Sequence, residues 1–317
     1  MKSGAIQGQI ATRENEESSF FHHRRKLVNL NWDHEPKRVS LFIQSGLIEM
    51  EKQIETMKKF LIDMDFELEV DVYTDSDFII LVGTDGFNLQ ISSIFQDRET
   101  PPIISLTPHK KGFISFIEFC SYQTVIPQIL RGNCFILPRC RLCIDYHSSE
   151  GIERFTALND LVVNRDQTCG SLIVNCSSCG FGFSQIICDG VIIATPTGST
   201  AYNKGAGGAL VHPLLPVFML TPIIALSLSA RPIMFPQSAD LTISLACDTK
   251  RKQKAYIVFD GTGHRTFSPG EKLVISISTH YFNSIMMNKS IAEWPVRLAG
   301  LMSWNERKHQ KALPKNP

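Results

Sequence analysis

Five consecutive apolar residues, Phe78-Ile79-Ile80-Leu81-Val82, run straight into Gly83-Thr84-Asp85-Gly86. No other feature limits the fold as much. A strand that is apolar at every position must be covered on both faces, which places it inside a parallel sheet layered by helices. The flanking sequence agrees. A β-rich run spans 39–43, and Leu47, Met50, Ile54, Met57 and Leu61 then recur at three- and four-residue steps opposite Lys and Glu, the pattern of a helix with one buried face. Further strands are expected at 66–70 and 102–106, and helices at 87–96 and 121–131. Residues 39–133 therefore read as an α/β domain with a mostly parallel sheet.

Beyond that point the patterning changes. Alternating runs at 134–146, 171–176, 241–245, 256–259 and 273–277 are separated by the turn signals Asp189-Gly190, Asp260-Gly261 and Ser268-Pro269-Gly270. Short punctuated strands predict an antiparallel, β-sandwich-like second domain over 134–290, with the boundary inside 131–150. The tail, 291–317, carries a short helix at 295–305 that returns to the first domain. Residues 1–38 lack apolar periodicity and read as a flexible N-terminal arm.

Composition narrows the partners. The 317 residues carry 32 basic and 31 acidic side chains. Such a balance gives no cationic field for nucleic acid and favours a small-molecule ligand. Arg13, Glu14, Glu16 and Glu17 stand where a signal peptide needs an apolar run and where a mitochondrial presequence avoids acids. With nine scattered cysteines, the expectation is a cytoplasmic chain with reduced thiols. The 26 residues from Gly205 to Ala230 contain no Lys, Arg, Asp or Glu. Pro213, Pro216, Pro222 and His212 interrupt them, so they read as buried core rather than a membrane span. The pairs Cys140-x-x-Cys143 and Cys176-x-x-Cys179 imitate a zinc site, but their separation is wrong for one and strand residues three apart face opposite ways.

Two segments could carry chemistry. The loop after Val82 ends a parallel strand and opens a helix, the place where α/β sheets bind phosphates. Asp85 there has three open readings: helix N-cap, metal ligand, or proton acceptor for a hydroxyl being phosphorylated. The second segment, Thr195 to Gly208, packs four hydroxyl side chains, one tyrosine and four glycines into fourteen residues directly after the apolar run 191–194. Hydroxyl donors, close backbone approach and one ring face suit a ribose, a phosphate and a nucleobase.

At these residues the chain resembles the NAD kinases. The resemblance rests on Asp-Gly-Val-Ile-Ile-Ala-Thr-Pro-Thr-Gly-Ser-Thr-Ala-Tyr from Asp189, on Ala-Gly-Gly-Ala-Leu-Val-His-Pro from Ala206, and on Ser-Leu-Ser-Ala-Arg-Pro-Ile from Ser227. Asn159-Asp160-Leu161-Val162-Val163-Asn164-Arg165 and Val258-Phe259-Asp260-Gly261 support it, and the tail around Trp304-Asn305-Glu306 is similar to eukaryotic members. It covers about 39–310 and is strongest from Asn159 onward. The resemblance implies transfer of the terminal phosphoryl of ATP, carried with Mg²⁺, to the 2′-hydroxyl of the adenosine ribose of NAD. It implies Asp85 as general base, with Gly83 and Gly86 in the phosphate-donor loop and Phe113 in a neighbouring Gly-Phe loop. It assigns Asn159 and Asp160 to the adenosine and ribose, with Asp189, Thr197, Thr200, Ala201, Tyr202 and Gly205 completing the NAD site. It also implies a homodimer or homotetramer and a site in a cleft between the domains, with no nucleic-acid or membrane partner.

The departures from the family pattern fall mostly on the donor side. Gly-Gly-Asp-Gly-Thr has become Gly83-Thr84-Asp85-Gly86-Phe87. If the second glycine requires a positive φ, Thr84 costs on the order of 1–2 kcal/mol. The Gly-x-Leu-Gly-Phe segment of relatives reads His109-Lys110-Lys111-Gly112-Phe113, where Lys110 and Lys111 offer compensation by pairing with donor phosphates, and Asp160 is one methylene shorter than the usual glutamate. Two hypotheses stay open: a working NAD kinase, and a non-catalytic NAD(P)-binding subunit of the same fold.

Overall fold

The all-apolar run forms the strand Phe78–Val82, with every residue buried. The computed structural model describes residues 27–73, 75–108, 111–247, 253–288 and 293–304. They group into an α/β unit, within residues 31–88, 104–135 and 286–304, and a β-rich unit, within residues 27–30, 89–103 and 136–285.

In the α/β unit the strands lie in the order Glu67–Val70, Arg38–Ile43, Phe78–Val82, Ile103–Thr107. Arg38–Ile43 runs parallel to both of its neighbours, pairing Leu41 with Val70 and Ile43 with Val82. By chain position the order is second, first, third, fourth. The connections therefore leave the first strand toward one side and the third toward the other. Loops at the carboxyl ends of those two strands frame the crevice where open α/β sheets take ligands.

The helix Glu51–Asp63 buries Ile54, Met57 and Leu61. It starts later than the sequence stripe implies, because Ile48–Met50 forms a 3-10 turn and leaves Leu47 and Met50 outside the core. Residues 27–38 also differ from the expectation of an arm. Val28–Asn29 is a strand, and the Trp32 indole donates to the Ile129 carbonyl at 2.9 Å. Residues 1–26 lie outside the described residues.

The β-rich unit holds two six-stranded sheets. One runs Ile233–Pro236, Val217–Ile223, Gly190–Ala194, Asp160–Arg165, Ala255–Phe259, Thr262–Phe267. The other runs Phe181–Cys188, Leu172–Ser178, Leu241–Leu245, Lys272–Ile277, Leu142–Ser148, Gly151–Ala157. Every pair recorded within them is antiparallel. Both sheets bury alternate residues in one core, including Leu161, Val191, Ile193 and Leu220 from the first and Leu172, Ile243 and Ile275 from the second. Gly190–Ala194 is buried on its other face as well, where Ile192 and Ala194 join Val162, Val211 and Met219. Part of the charge-free stretch becomes the strand Val217–Ile223, and no described helix is long and apolar enough to cross a membrane.

One region groups differently from the sequence boundary. Residues 89–103 join the β-rich unit, and Arg141 accounts for it. Its fully buried guanidinium donates to the carbonyls of Ser92, Phe95 and Arg98 at 3.2, 2.6 and 2.6 Å, and to that of His280 at 3.0 Å. The strand expected over 134–146 is correspondingly interrupted at Cys140-Arg141 between Phe135–Arg139 and Leu142–Ser148.

Candidate functional site

The helix Asp85–Ile94, whose first four residues belong to the α/β unit, begins two residues earlier than the periodicity predicts. Thr84 caps it, its carbonyl accepting from the amides of Phe87 and Asn88. Asp85 does not spend its carboxylate on this helix. One oxygen accepts the Phe113 amide at 2.7 Å, and the other accepts those of Ile114 and Ser115 at 2.9 and 2.8 Å. Three backbone donors thus fold the 112–115 turn around one carboxylate. Gly112 is required there, because a Cβ would overlap the Asp85 carboxylate.

The rest of the loop is held from the sides. Asn88 donates to Ser115 Oγ at 2.7 Å and accepts from Ser105 Oγ at 2.6 Å. The Gln44 carbonyl oxygen accepts the Thr84 amide at 2.9 Å and the Thr84 hydroxyl at 3.1 Å. Gly83 is crowded, since a Cβ would lie 2.6 Å from Phe87 and 2.8 Å from Gln44. Gly86 is not, its nearest contact being ordinary at 3.8 Å. Thr84 has no positive φ, so the strain expected for a threonine at that position does not arise. Lys111 pairs with Glu118 at 3.0 Å on the exposed surface, and Lys110 lies outside the described residues. Arg297 stacks on Phe116, its guanidinium carbon 3.4 Å from the ring centroid, and pairs with Glu293 at 2.9 Å. Burial holds this guanidinium below its ordinary pKa.

In the β-rich unit a second constellation forms at one end of the strand Gly190–Ala194. Asp160 pairs with Ala194, the Thr195 amide donates to the Asn159 carbonyl at 2.9 Å, and the Thr195 hydroxyl donates to the Leu158 carbonyl at 2.6 Å. The loop after Thr195 then lies directly on Asn159. A Cβ on Gly198 would overlap the Asn159 carbonyl, so glycine is what lets the two backbones meet.

Thr197 is buried and accepts from Arg139 at 3.4 Å. Thr200 donates to the Thr197 carbonyl at 3.2 Å. Ala201 leads into the single helical turn Tyr202–Gly205, from which Tyr202 presents an exposed ring. Gly205 faces only an ordinary 3.8 Å contact with that ring. Asn203, fully buried, locks the loop by accepting the Thr221 hydroxyl at 2.6 Å and donating to the Ala209 carbonyl at 3.1 Å. Asn159, Asp160, Thr197 and Thr200 are thus brought together.

Asp189 is not brought to that place. It sits at the opposite end of Gly190–Ala194, paired with Arg165 at 3.1 Å and accepting from Ser171 at 3.3 Å. Thr195 lies six steps further along extended chain, roughly 20 Å away.

A residue that sequence reasoning took for a turn marker organises this end. Asp260, at φ 49°, accepts the amides of Leu158, Asn159 and Asp160 at 2.7, 2.7 and 3.1 Å. Its own amide donates back to the Asp160 carbonyl at 3.0 Å. Burial raises the Asp260 carboxyl to about 6, held down in part by those three amides and by Arg141. Asp160, 5% exposed, has no hydrogen-bond donor among the described residues, and burial followed by the charge of Asp260 pushes its carboxyl up to about 7. Asp260 therefore carries the charge and Asp160 holds its proton longer.

Comparison with known proteins matches two family models along the chain. Residues 10–134 match the family model of the ATP-NAD kinase N-terminal domain, and residues 163–287 that of the ATP-NAD kinase C-terminal domain. The chain is 33% identical over 250 residues to the probable NAD kinase 2, chloroplastic, of Oryza sativa subsp. japonica, covering 77% of this chain and 25% of that protein. It is 31% identical over 318 residues to the NAD(+) kinase of Saccharomyces cerevisiae, covering 95% of this chain and 58% of that protein. It thus spans a quarter of the rice protein and little over half of the yeast one. The crystal structure of yeast NADH kinase complexed with NADH superposes with a TM-score of 0.82 at 20% identity, over 90% of this chain and 92% of that one. At that identity the likeness concerns the fold.

Proposed function

We propose, from the premise that this chain belongs to the NAD kinase family, that it transfers the terminal phosphoryl of ATP to the 2′-hydroxyl of the adenosine ribose of NAD, giving NADP. The observation that carries this reading is the meeting of the Asn159-Asp160 turn with the loop 195–200, where a glycine-enforced backbone contact sets Asn159 and Asp160 beside the turn that carries Thr197 and Thr200. Those groups match a ribose and its base in donors and acceptors. Among the described residues the Asn159 side chain has no protein partner, which leaves its amide for the adenosine.

A ribose hydroxyl is a weak nucleophile, so an acceptor carboxylate must take its proton as the P–O bond forms. Asp85 is assigned that part. The Gly83–Gly86 loop stands at the switch point of the parallel sheet, where the first turn of a helix leaves amides for the donor phosphates. Mg²⁺ enters as part of the substrate, MgATP, and neutralises the transferring charge.

We extend the reading to a homo-oligomer, dimer or tetramer, formed through the β-rich unit. The support is an apolar surface at the sheet edges, where Phe181, Leu226, Leu228 and Met234 are 79, 65, 90 and 52% exposed and Phe183 meets Phe235 at 5.8 Å. A cytoplasmic location is part of the same proposal, supported by nine cysteines that all stand as free thiols.

The test is direct. The purified full chain, given MgATP and NAD, should form NADP as read by an NADP-specific dehydrogenase, and Asp85→Asn should lower the rate about 100-fold or more. If NAD binds and no NADP accumulates, the chain is a binding subunit and the kinase reading is wrong.

A further inference from the structure

Gln44 follows the first strand of the α/β unit, its amide tied to the Val82 carbonyl at 2.9 Å. That backbone bond places its side chain over the start of the donor loop. The carbonyl oxygen of that side chain takes both donors Thr84 offers, the amide at 2.9 Å and the hydroxyl at 3.1 Å. It also fills the space beside Gly83, lying 2.8 Å from where a Cβ would stand. Thr84 is exposed, so without Gln44 both donors would face the solvent side of a helix start, oriented for an anion.

We propose that Gln44 is an internal stand-in for a donor phosphate, and that ATP must displace its side-chain carbonyl from Thr84 to seat its own phosphate oxygens. This rests on the kinase reading of the loop and adds a residue that sets donor affinity. The exchange is feasible, because a neutral amide oxygen is a weaker acceptor than a phosphate oxygen, whose hydrogen bonds are charge-assisted. It is also unfavourable relative to an open loop, because two formed bonds are broken before two new ones are made. Thr84 thus supplies two donors to the phosphate once Gln44 has moved.

Two variants separate this role from mere support of the loop. Gln44→Ala removes the competitor, so MgATP should bind about three- to tenfold tighter, the range that one or two neutral hydrogen bonds span. Gln44→Glu keeps an acceptor for both Thr84 donors and adds a negative charge, so MgATP should bind weaker by a similar factor. A purely structural Gln44 gives the reverse order, with the alanine variant worst and the glutamate variant near the parent.

Calorimetric titration of the full chain with MgATP, repeated with magnesium tripolyphosphate, reads this without turnover, and NADP formation reads KM for ATP beside it. Should the alanine variant fail to fold, Gln44→Ser, also too short to reach Thr84, replaces it. Unchanged or weaker binding in the shortened variants overturns the proposal. Absence of NADP formation in the parent overturns the kinase reading instead and leaves the titration to decide the role of Gln44.

Discussion

Asp160→Asn should stabilise the protein in alkaline buffer and do little in acid. The carboxyl is 5% exposed, has no donor among the described residues, and titrates near 7 rather than at the ordinary 3.8. A carboxyl raised in the folded state binds its proton more tightly there than in the unfolded chain. Its contribution is therefore fully present below about pH 4 and is lost as pH rises through about 7. Three units at 1.36 kcal/mol each set an upper bound of about 4 kcal/mol at pH 8 and above. Part of this belongs to the neighbouring charge on Asp260, which the substitution also relieves. Asparagine copies the shape of the protonated acid without the charge. Thermal unfolding of parent and variant from pH 3.5 to pH 9 should show the variant level with the parent below about pH 4, a gap that opens between pH 4 and 7, and a variant melting several degrees higher and by a constant margin at pH 8–9. A gap that does not change with pH, or a variant less stable at pH 8, would mean that Asp160 is ionised and well solvated, and the argument from burial would fail.

Other substitutions probe the remaining geometry. Gly112→Ala forces a Cβ into the Asp85 carboxylate, so the turn or the acid must move; the rate of NADP formation should fall at least about tenfold while circular dichroism stays the same. Gly198→Ala meets a backbone carbonyl that cannot swing aside; it should destabilise the fold by about 1–3 kcal/mol in urea unfolding and raise KM for NAD. Gly86→Ala, with only an ordinary contact, should stay within about 0.5 kcal/mol of the parent. Arg141→Lys should lower stability by about 2–4 kcal/mol, because one ammonium cannot reach the carbonyls of Ser92, Phe95, Arg98 and His280 together. A loss below 1 kcal/mol would show that water replaces the guanidinium.

The parts of the fold legible in the sequence are those written in short windows. Phe78–Val82 announces a buried strand in five letters, and Ile54, Met57 and Leu61 mark a helix face. The Thr195–Gly208 loop stands out by composition alone. What stayed hidden are polar side chains that reach distant backbone. Gln44 meets Thr84 across 40 positions, Asp260 meets Leu158 across 102, and Arg141 meets Ser92 across 49. No periodicity encodes such bonds, and Asp260 shows in the sequence as an Asp-Gly turn and as part of the Val258–Gly261 motif, neither of which reveals its backbone partners. Asp189, which the resemblance groups with the nucleotide loop, stands within one chain at the far end of Gly190–Ala194 from that loop, because a strand carries its two ends apart.

These long-range bonds also explain how the altered donor loop keeps its shape. Glycine at the second loop position matters only if the backbone turns left-handed there, and at Thr84 it does not. The threonine is accommodated because its hydroxyl and amide close on Gln44, while Asp85 is anchored separately by the Phe113, Ile114 and Ser115 amides. Anchoring Asp85 and satisfying Thr84 thus depend on different parts of the α/β unit, the 112–115 turn and the end of the first strand. A change at Gln44 should therefore act on how tightly the phosphate donor is held, and a change at Gly112 on how the acid is aimed. KM for ATP and kcat should move independently in the two sets of variants, and parallel movement of both would mean that the loop behaves as one unit.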